Sequence, residues 1–244
     1  MISNLFNAFI YEPLYNALAF LVSAIPGGDL GIAIVVLTLL VRLVLFPLSV
    51  GATRTQMEMQ ELNPKLQELK EKLKENREEL ARQTMALFKE HKVNPFASIF
   101  LVLLQIPIIL GLYFVFLNEG SVGSFDPALL YSFLSPPETV SLLFLGLIDL
   151  TGKSMVLAVL VAVSQFFYAR LTMTKPPQQT GNSFRDDMAR SMNIQMRYVF
   201  PFIFGFIAYV VSAAVALYFV VSNIFGILQT LAMKKTHHGQ GKNS

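Results

Sequence analysis

The chain has 244 residues, 54% of them hydrophobic and only 14% charged, with a formal net charge of +3 and a mean hydropathy of +0.54. A soluble domain carries nearer a quarter charged residues, so an ordinary globular protein is excluded, and so small a charge excludes a DNA-binding role. Cysteine is absent, which removes disulfides, thiolate chemistry, cysteine metal sites and an N-terminal lipid anchor.

The first 41 residues contain no Lys or Arg, so the basic start of a secretory signal is missing. Read as a helix, Leu5 to Ile25 gathers Phe6, Phe9, Ile10, Ala17, Phe20 and Leu21 on one side. Asn4, Asn7, Glu12, Tyr15 and Asn16 fall on the other. This two-sidedness predicts an amphipathic helix, residues 1–29, lying in the outer membrane interface. The competing reading is a further membrane span.

Residues 30–50, "LGIAIVVLTLLVRLVLFPLSV", are long enough to cross the ~30 Å of hydrocarbon in a bilayer. Arg42 sits inside this run, only about 3 Å from its midpoint at Leu40. An arginine at such depth disfavours insertion by roughly 2.5 to 3.5 kcal/mol, and such groups face a partner or a water-filled cavity. None of the apolar runs contains an Asp or Glu to neutralise it. The available helpers are neutral: Thr38 one turn earlier, Gln105, Gln165, Ser222 and Asn223. A cation ringed by hydroxyls and amides implies a wet, positively charged groove. The alternative is a guanidinium satisfied by backbone carbonyls and lipid phosphate.

Residues 51–95 are highly charged. Leu62, Leu66, Leu69 and Leu73 recur at 4, 3, 4, and Leu80, Thr84 and Leu87 repeat the pattern, which predicts a cytoplasmic helical hairpin. Asn63-Pro64 reads as an N-cap with proline at the first helical position, and Asn94-Pro95 reads likewise. Asn76 with Glu79 resembles a capping box, so the turn is expected at Glu75-Asn76. Glu61/Lys65, Glu68/Lys72 and Glu78/Arg82 are candidate i,i+4 pairs. Two uses are open, a docking surface for partners and a solvated spacer.

A second span is expected at 96–117, an extracytoplasmic loop at 118–152, a third span at 153–171 and a cytoplasmic loop at 172–196. Residues 198–233 form one apolar block, about 54 Å long if helical and nearly twice a bilayer. It is read as two short spans, 197–211 and 212–233, folded back at Ser212-Ala213-Ala214, before a cytoplasmic tail at 234–244. Pro47 and Pro107 free the carbonyls of Leu43 and Leu103 and can bend the cavity walls, while Pro201 stands at the start of a membrane helix. Residues 51–94 carry nine Lys or Arg, against none from 118 to 152, so the positive-inside rule predicts N-out and C-in. The expected fold is an all-α integral membrane protein of five transmembrane helices enclosing a hydrophilic groove.

The order "VRLVLFPLS", charged hairpin, "KVNPF…LLQIPIILGLY", "FLGLIDLTGKS", "MRYVFPFIF" and "LYFVVSNIFGILQ" resembles the YidC family of membrane protein insertases over residues 5–233, in its short five-span form. The resemblance implies an interfacial helix at 5–25, Arg42 as the groove arginine with Thr38 beside it, and Tyr218 as a groove hydroxyl. It departs from the family at Ser212-Ala213-Ala214, where a Pro-Ser-Gly-like turn is usual, and at Tyr218-Phe219, an aromatic pair with one hydroxyl. The loop at 172–195 also looks longer than usual.

The resemblance implies an insertase of the bacterial inner membrane, with nascent membrane proteins bearing acidic extracytoplasmic tails, and the lipid bilayer itself, as partners. A ribosome and the Sec translocon are further partners the family suggests, the short tail "KKTHHGQGKNS" bringing only three lysines to the former. There is no P-loop and no metal-ligand spacing, so no nucleotide, metal, cofactor or enzymatic step is expected, and one copy should suffice. His237 and His238 read as solvated. A small-solute or ion channel, and a structural assembly factor, are the rival functions. Pore-lining rings or internal repeats would mark the channel, and neither is visible.

Overall fold

Three prolines shape the helices of the computed structural model, which describes residues 2–73, 76–91, 93–94, 97–118, 124–172, 191 and 194–240. Proline lacks an N–H and its ring clashes with the carbonyl four residues earlier. Helix α1, Ile2–Phe6, passes through a π turn at Asn7–Tyr11 into α2, Glu12–Ala24. The widened turn ends two residues before Pro13, and the Glu12 N–H reaches Asn7 O. A second π turn, Gln195–Val199, stands in the same place before Pro201, with the Phe200 N–H on Gln195 O. Both are local i→i+5 adjustments of the ladder beside a proline.

Pro47 has the larger effect. Helix α3, Leu30–Val44, stops there, and α4, Phe46–Lys72, leaves at 67°. The straight part of the first apolar run is therefore only about 22 Å long, and Arg42 lies in its last turn rather than near the middle of a helix reaching Val50. Pro107, by contrast, stays inside an unbroken α6, Ala97–Asn118.

Helix α4 also runs through Asn63-Pro64, so the expected cap there is corrected: Pro64 lies inside the helix. Helix α5, Arg77–Glu90, begins as expected, with Asn76 accepting from Glu79 N at 3.1 Å. Glu75 and Pro95 lie outside the described residues. Lys65 Nζ approaches His91 Nε2 to 3.3 Å, as an antiparallel α4–α5 pair requires. Leu62 is buried, while Leu66, Leu69, Leu80 and Leu87 are half-buried. Arg82 pairs with Glu79 rather than Glu78, through two bonds of 2.8 Å. That bidentate contact, seconded by Gln83, holds the Glu79 carboxyl below its ordinary range.

The expected polar side of the N-terminal helix is also corrected in part. Tyr15 and Asn16 are buried, while Leu5, Phe9 and Phe20 are exposed. The buried pair holds the loop above it: Asn16 Nδ2 donates to Leu129 O, its Oδ1 accepts from Tyr131 N at 2.7 Å, and the Tyr15 hydroxyl accepts from Asp126 N. An amide and a phenol are buried here because they have backbone partners, which helical periodicity alone does not reveal.

Two short strands, β1 Leu143–Phe144 and β2 Ile148–Asp149, form an antiparallel hairpin and the only sheet among the described residues. Three helices complete the bundle core: α7, Met155–Thr172; α8, Phe200–Val211; and α9, Ala213–Gln240. Gly205 brings α8 against α7, since a Cβ there would stand 2.8 Å from Ala162 Cβ. The turn from α8 to α9 falls at Ser212, whose extended backbone (φ −164°) precedes a hydroxyl that accepts from Val215 N. Ala213 N and Ala214 N donate to Gly152 O and Leu150 O, so the neighbouring loop holds the turn in place. By length and composition, Asn4–Ala24, Met155–Thr172 and Ala213–Thr236 can each cross a membrane, and α3 with α4 counts as a fourth if the bent pair is one span. Gln105–Phe116 and Gln195–Val211 are shorter apolar helices.

Replacing Asn16 by Ala removes both bonds to the loop, each buried amide interaction being worth about 1 to 3 kcal/mol. Hydrogen exchange at the Tyr131 amide should speed up by roughly tenfold or more, with the helices unaffected.

Candidate functional site

The bend at Leu45 leaves a cavity of about 310 Å³ between α3, α4, α6, α7, α8 and α9. Arg42 enters from α3, Ser49 and Thr53 from α4, Gln105 from α6, Gln165 and Tyr168 from α7, and Phe204 from α8. Helix α9 contributes a polar stripe of Tyr218, Ser222, Asn223, Gly226, Gln229 and Thr230. These recur at helical spacing and run about 18 Å along the helix.

Gly226 is small for a steric reason. A Cβ there would lie 2.7 Å from the Tyr168 ring, so any larger residue would push that ring away. The stripe is tied to its neighbours by bonds that leave its polarity facing inward. The Gln105 amide donates to the Tyr218 hydroxyl. Asn223 Nδ2 donates to Ser164 Oγ at 3.1 Å. Gln229 Nε2 donates to Ser49 Oγ at 2.9 Å, and that hydroxyl donates on to Phe46 O.

Arg42 has no such partner. Its Nε is buried without a hydrogen bond. The ion pairs among the described residues are Arg54–Glu58 and Arg82–Glu79, both on the charged helices. What the fold offers the guanidinium is the C-terminal end of α3, where carbonyl dipoles favour a cation. Its charge is otherwise free to attract an anion. No cluster of three or more His, Asp or Glu able to hold a metal occurs among the described residues.

Six of the seven residues expected in the groove meet in this cavity: Arg42, Gln105, Gln165, Tyr218, Ser222 and Asn223. Thr38 is the correction. It is buried away from the cavity, and its hydroxyl donates 2.6 Å to Ile34 O within its own helix. Sequence reading did not find Ser49, Thr53, Tyr168, Gln229 and Thr230. Their signal was present, since Ser49 and Thr53 follow Arg42 by seven and eleven residues and share its helical face only if the helix is followed beyond Pro47.

Apolar helices of spanning length packed around a cavity that an arginine lines define an α-helical membrane protein. Comparison with known proteins sharpens that class. Residues 21–240 match the family model described as 60Kd inner membrane protein. The membrane protein insertase YidC of Clostridium perfringens is 32% identical over 230 residues, covering 94% of this chain and 88% of the relative. YidC of Clostridium tetani is 30% identical over 218 residues, covering 89% and 87%. The insertase MisCA of Bacillus subtilis is 30% identical over 234 residues, covering 93% and 78%. The chain belongs to this family, that of the YidC insertases.

The absence of native cysteine makes the cavity's polarity measurable. A cysteine at Gln165, which lines the cavity, should react with a small methanethiosulfonate at least tenfold faster than one at Val161, which lies fully buried one turn away. Equal rates would mean that the cavity is dry.

Proposed function

We propose that this protein is an insertase that receives nascent membrane proteins in the Arg42 cavity and releases their apolar segments into lipid. In this reading α3 with the start of α4, α6, α7, α8 and α9 are five spans. The N-terminus is outside, the C-terminus and the α4–α5 pair are in the cytoplasm, and α1–α2 lies in the outer interface. The observation that carries the reading is Arg42: a half-buried cation on the cavity wall, its Nε buried and unpartnered, with no carboxylate against it among the described residues.

A substrate with a short acidic tail enters the cavity from the cytoplasm. A charge pair at 4 Å gains about 4 kcal/mol at an effective dielectric near 20, before desolvation is subtracted. That offsets part of the barrier to moving a charged tail halfway across, and the membrane potential then acts on the tail directly. The hydroxyls and amides of Ser49, Thr53, Gln229 and Thr230 give the rest of the tail a hydrated surface on the way in. The apolar segment leaves along the outward faces of α7 and α9, where Leu160, Val163, Phe167, Ile224 and Leu228 are exposed. Hydrophobic partitioning supplies the driving force, so the cycle uses no nucleotide.

The α4–α5 pair and the basic end of α9, with Lys234 and Lys235, are the surfaces this orientation offers to a ribosome or a Sec translocon. One chain builds the whole cavity, so the monomer is the working unit. The names of the relatives favour insertion over solute transport or a purely structural role.

Insertion of a single-spanning substrate with an acidic tail should fall at least fivefold in Arg42→Ala and stay near wild type in Arg42→Lys, because attraction needs charge rather than a planar fork. With the tail's acidic residues changed to their amides, the two variants should insert equally well. Wild-type insertion by Arg42→Ala with the acidic tail would refute the electrostatic step.

A further inference from the structure

The loop between α6 and α7 carries a segment that the groove does not use. From Thr139 to Ile148 it reads "TVSLLFLGLI", without a charge, between Glu138 and Asp149. In the β1–β2 hairpin, side chains alternate between the two faces. Leu142, Phe144 and Ile148 pack inward against the core. Leu143, Leu145 and Leu147 point outward and are 48%, 60% and 85% exposed. The outer face of a solvated hairpin is ordinarily polar. Here it is three leucines in a row of alternating positions.

The hairpin is fixed at one level of the molecule. Leu30 N donates to Ser141 O, and Ser141 N donates to Gly28 O, so the segment pairs with the chain just before α3. The Phe144 ring lies on Gly31, where a Cβ would come within 2.3 Å of it. Asp29 joins the two parts most directly. One carboxylate oxygen caps α3 by accepting from Ile32 N at 3.0 Å, and the other accepts from Leu145 N at 2.8 Å. Leu145 is held at φ +52°, a conformation that leucine rarely adopts, in the tight turn with Gly146. The tip is thereby held beside the first turn of α3.

We propose that Leu143, Leu145 and Leu147 form an outer-leaflet anchor, inserted among lipid acyl chains next to the N-terminal end of α3. This rests on the reading of α3 and α7 as membrane spans. The occupant is lipid because the tip is continuous with the start of a membrane helix and its own residues, 139–148, carry no charge, while the one carboxylate that reaches it, Asp29, is engaged by the backbone N–H groups of Ile32 and Leu145. Asp149, the next residue, has its carboxyl held below the ordinary range by the Thr151 hydroxyl and amide. The anchor would fix the outer end of α3, and through it the height of Arg42, relative to the bilayer.

The chain contains no tryptophan, so an introduced one is the sole indole reporter. Full-length Leu147→Trp, at an exposed position, is reconstituted in phosphatidylcholine vesicles containing lipids brominated at defined acyl positions. Val159→Trp, on the exposed face of α7, serves as the reference. The expected result is blue-shifted emission from Leu147→Trp, quenched more strongly by bromines near the headgroup than by those near the chain end, with the strongest quenching of Val159→Trp shifted deeper along the chain, since it lies about 6 Å into α7. Water-like, unquenched emission from Leu147→Trp beside a quenched Val159→Trp would overturn the anchor and leave the spans intact. Blue-shifted but unquenched emission would mean that protein covers the tip, which also overturns it. No quenching at either site would overturn both readings.

Discussion

The break in the first apolar run governs the rest of the molecule. Pro47 has no N–H to give to Leu43 O, and its ring excludes that carbonyl from a straight helix. The chain turns by 67° at Leu45. Two things follow from the one bend. Arg42 comes to lie in the last turn of α3, where the helix end partly compensates its charge, and α4 swings away far enough to open the cavity beneath it. A straight helix from Leu30 would leave the same arginine in mid-helix with neither a helix end nor a chamber.

Around that chamber, the structure meets the demand that buried backbone and side-chain polar groups find partners. Pro13 and Pro201 would each interrupt a helix, but a π turn re-forms the ladder before each of them. The last carbonyls of α7 are satisfied from two other helices: Gln60 of α4 donates to Thr172 O at 2.7 Å, and Lys234 of α9 donates to Leu171 O at 2.9 Å. The lysine also suits the dipole of that helix end. The Gln60 bond ties α4 to the bundle, and the Lys234 bond ties α9 to α7. Among the described residues, three buried side-chain atoms have no partner, Arg42 Nε, Ser222 Oγ and Arg197 Nε, and the first two belong to residues that line the cavity.

Much of the cavity was legible in the sequence because a charge in an apolar run is expensive and therefore conspicuous. Arg42 announced a polar interior, and Gln105, Gln165, Ser222 and Asn223 followed as the polar groups of the other runs. Thr38 is not in the cavity's lining for a general reason: a threonine in a helix can satisfy its hydroxyl on its own backbone, and spacing from Arg42 says nothing about that choice. Ser49 and Thr53 were passed over because they stand beside the charged segment, where a polar residue looks ordinary. Tyr15 and Asn16 looked like a wet face for the same reason, until loop residues 126–131 supplied their partners.

The sequence by itself determined the class of protein, the approximate limits of the apolar segments and the presence of an uncompensated cation among them, since these depend on composition and on the cost of burying charge. It also carried the family, through motifs in a fixed order. Only the tertiary structure decided where the first helix stops, that α4 runs on through Pro64, which hydroxyls turn inward, and that loop residues Leu150 and Gly152 hold the Ser212 turn. Those outcomes rest on contacts between residues far apart in the chain, and a local pattern carries no information about which distant group will offer the matching donor, acceptor or space.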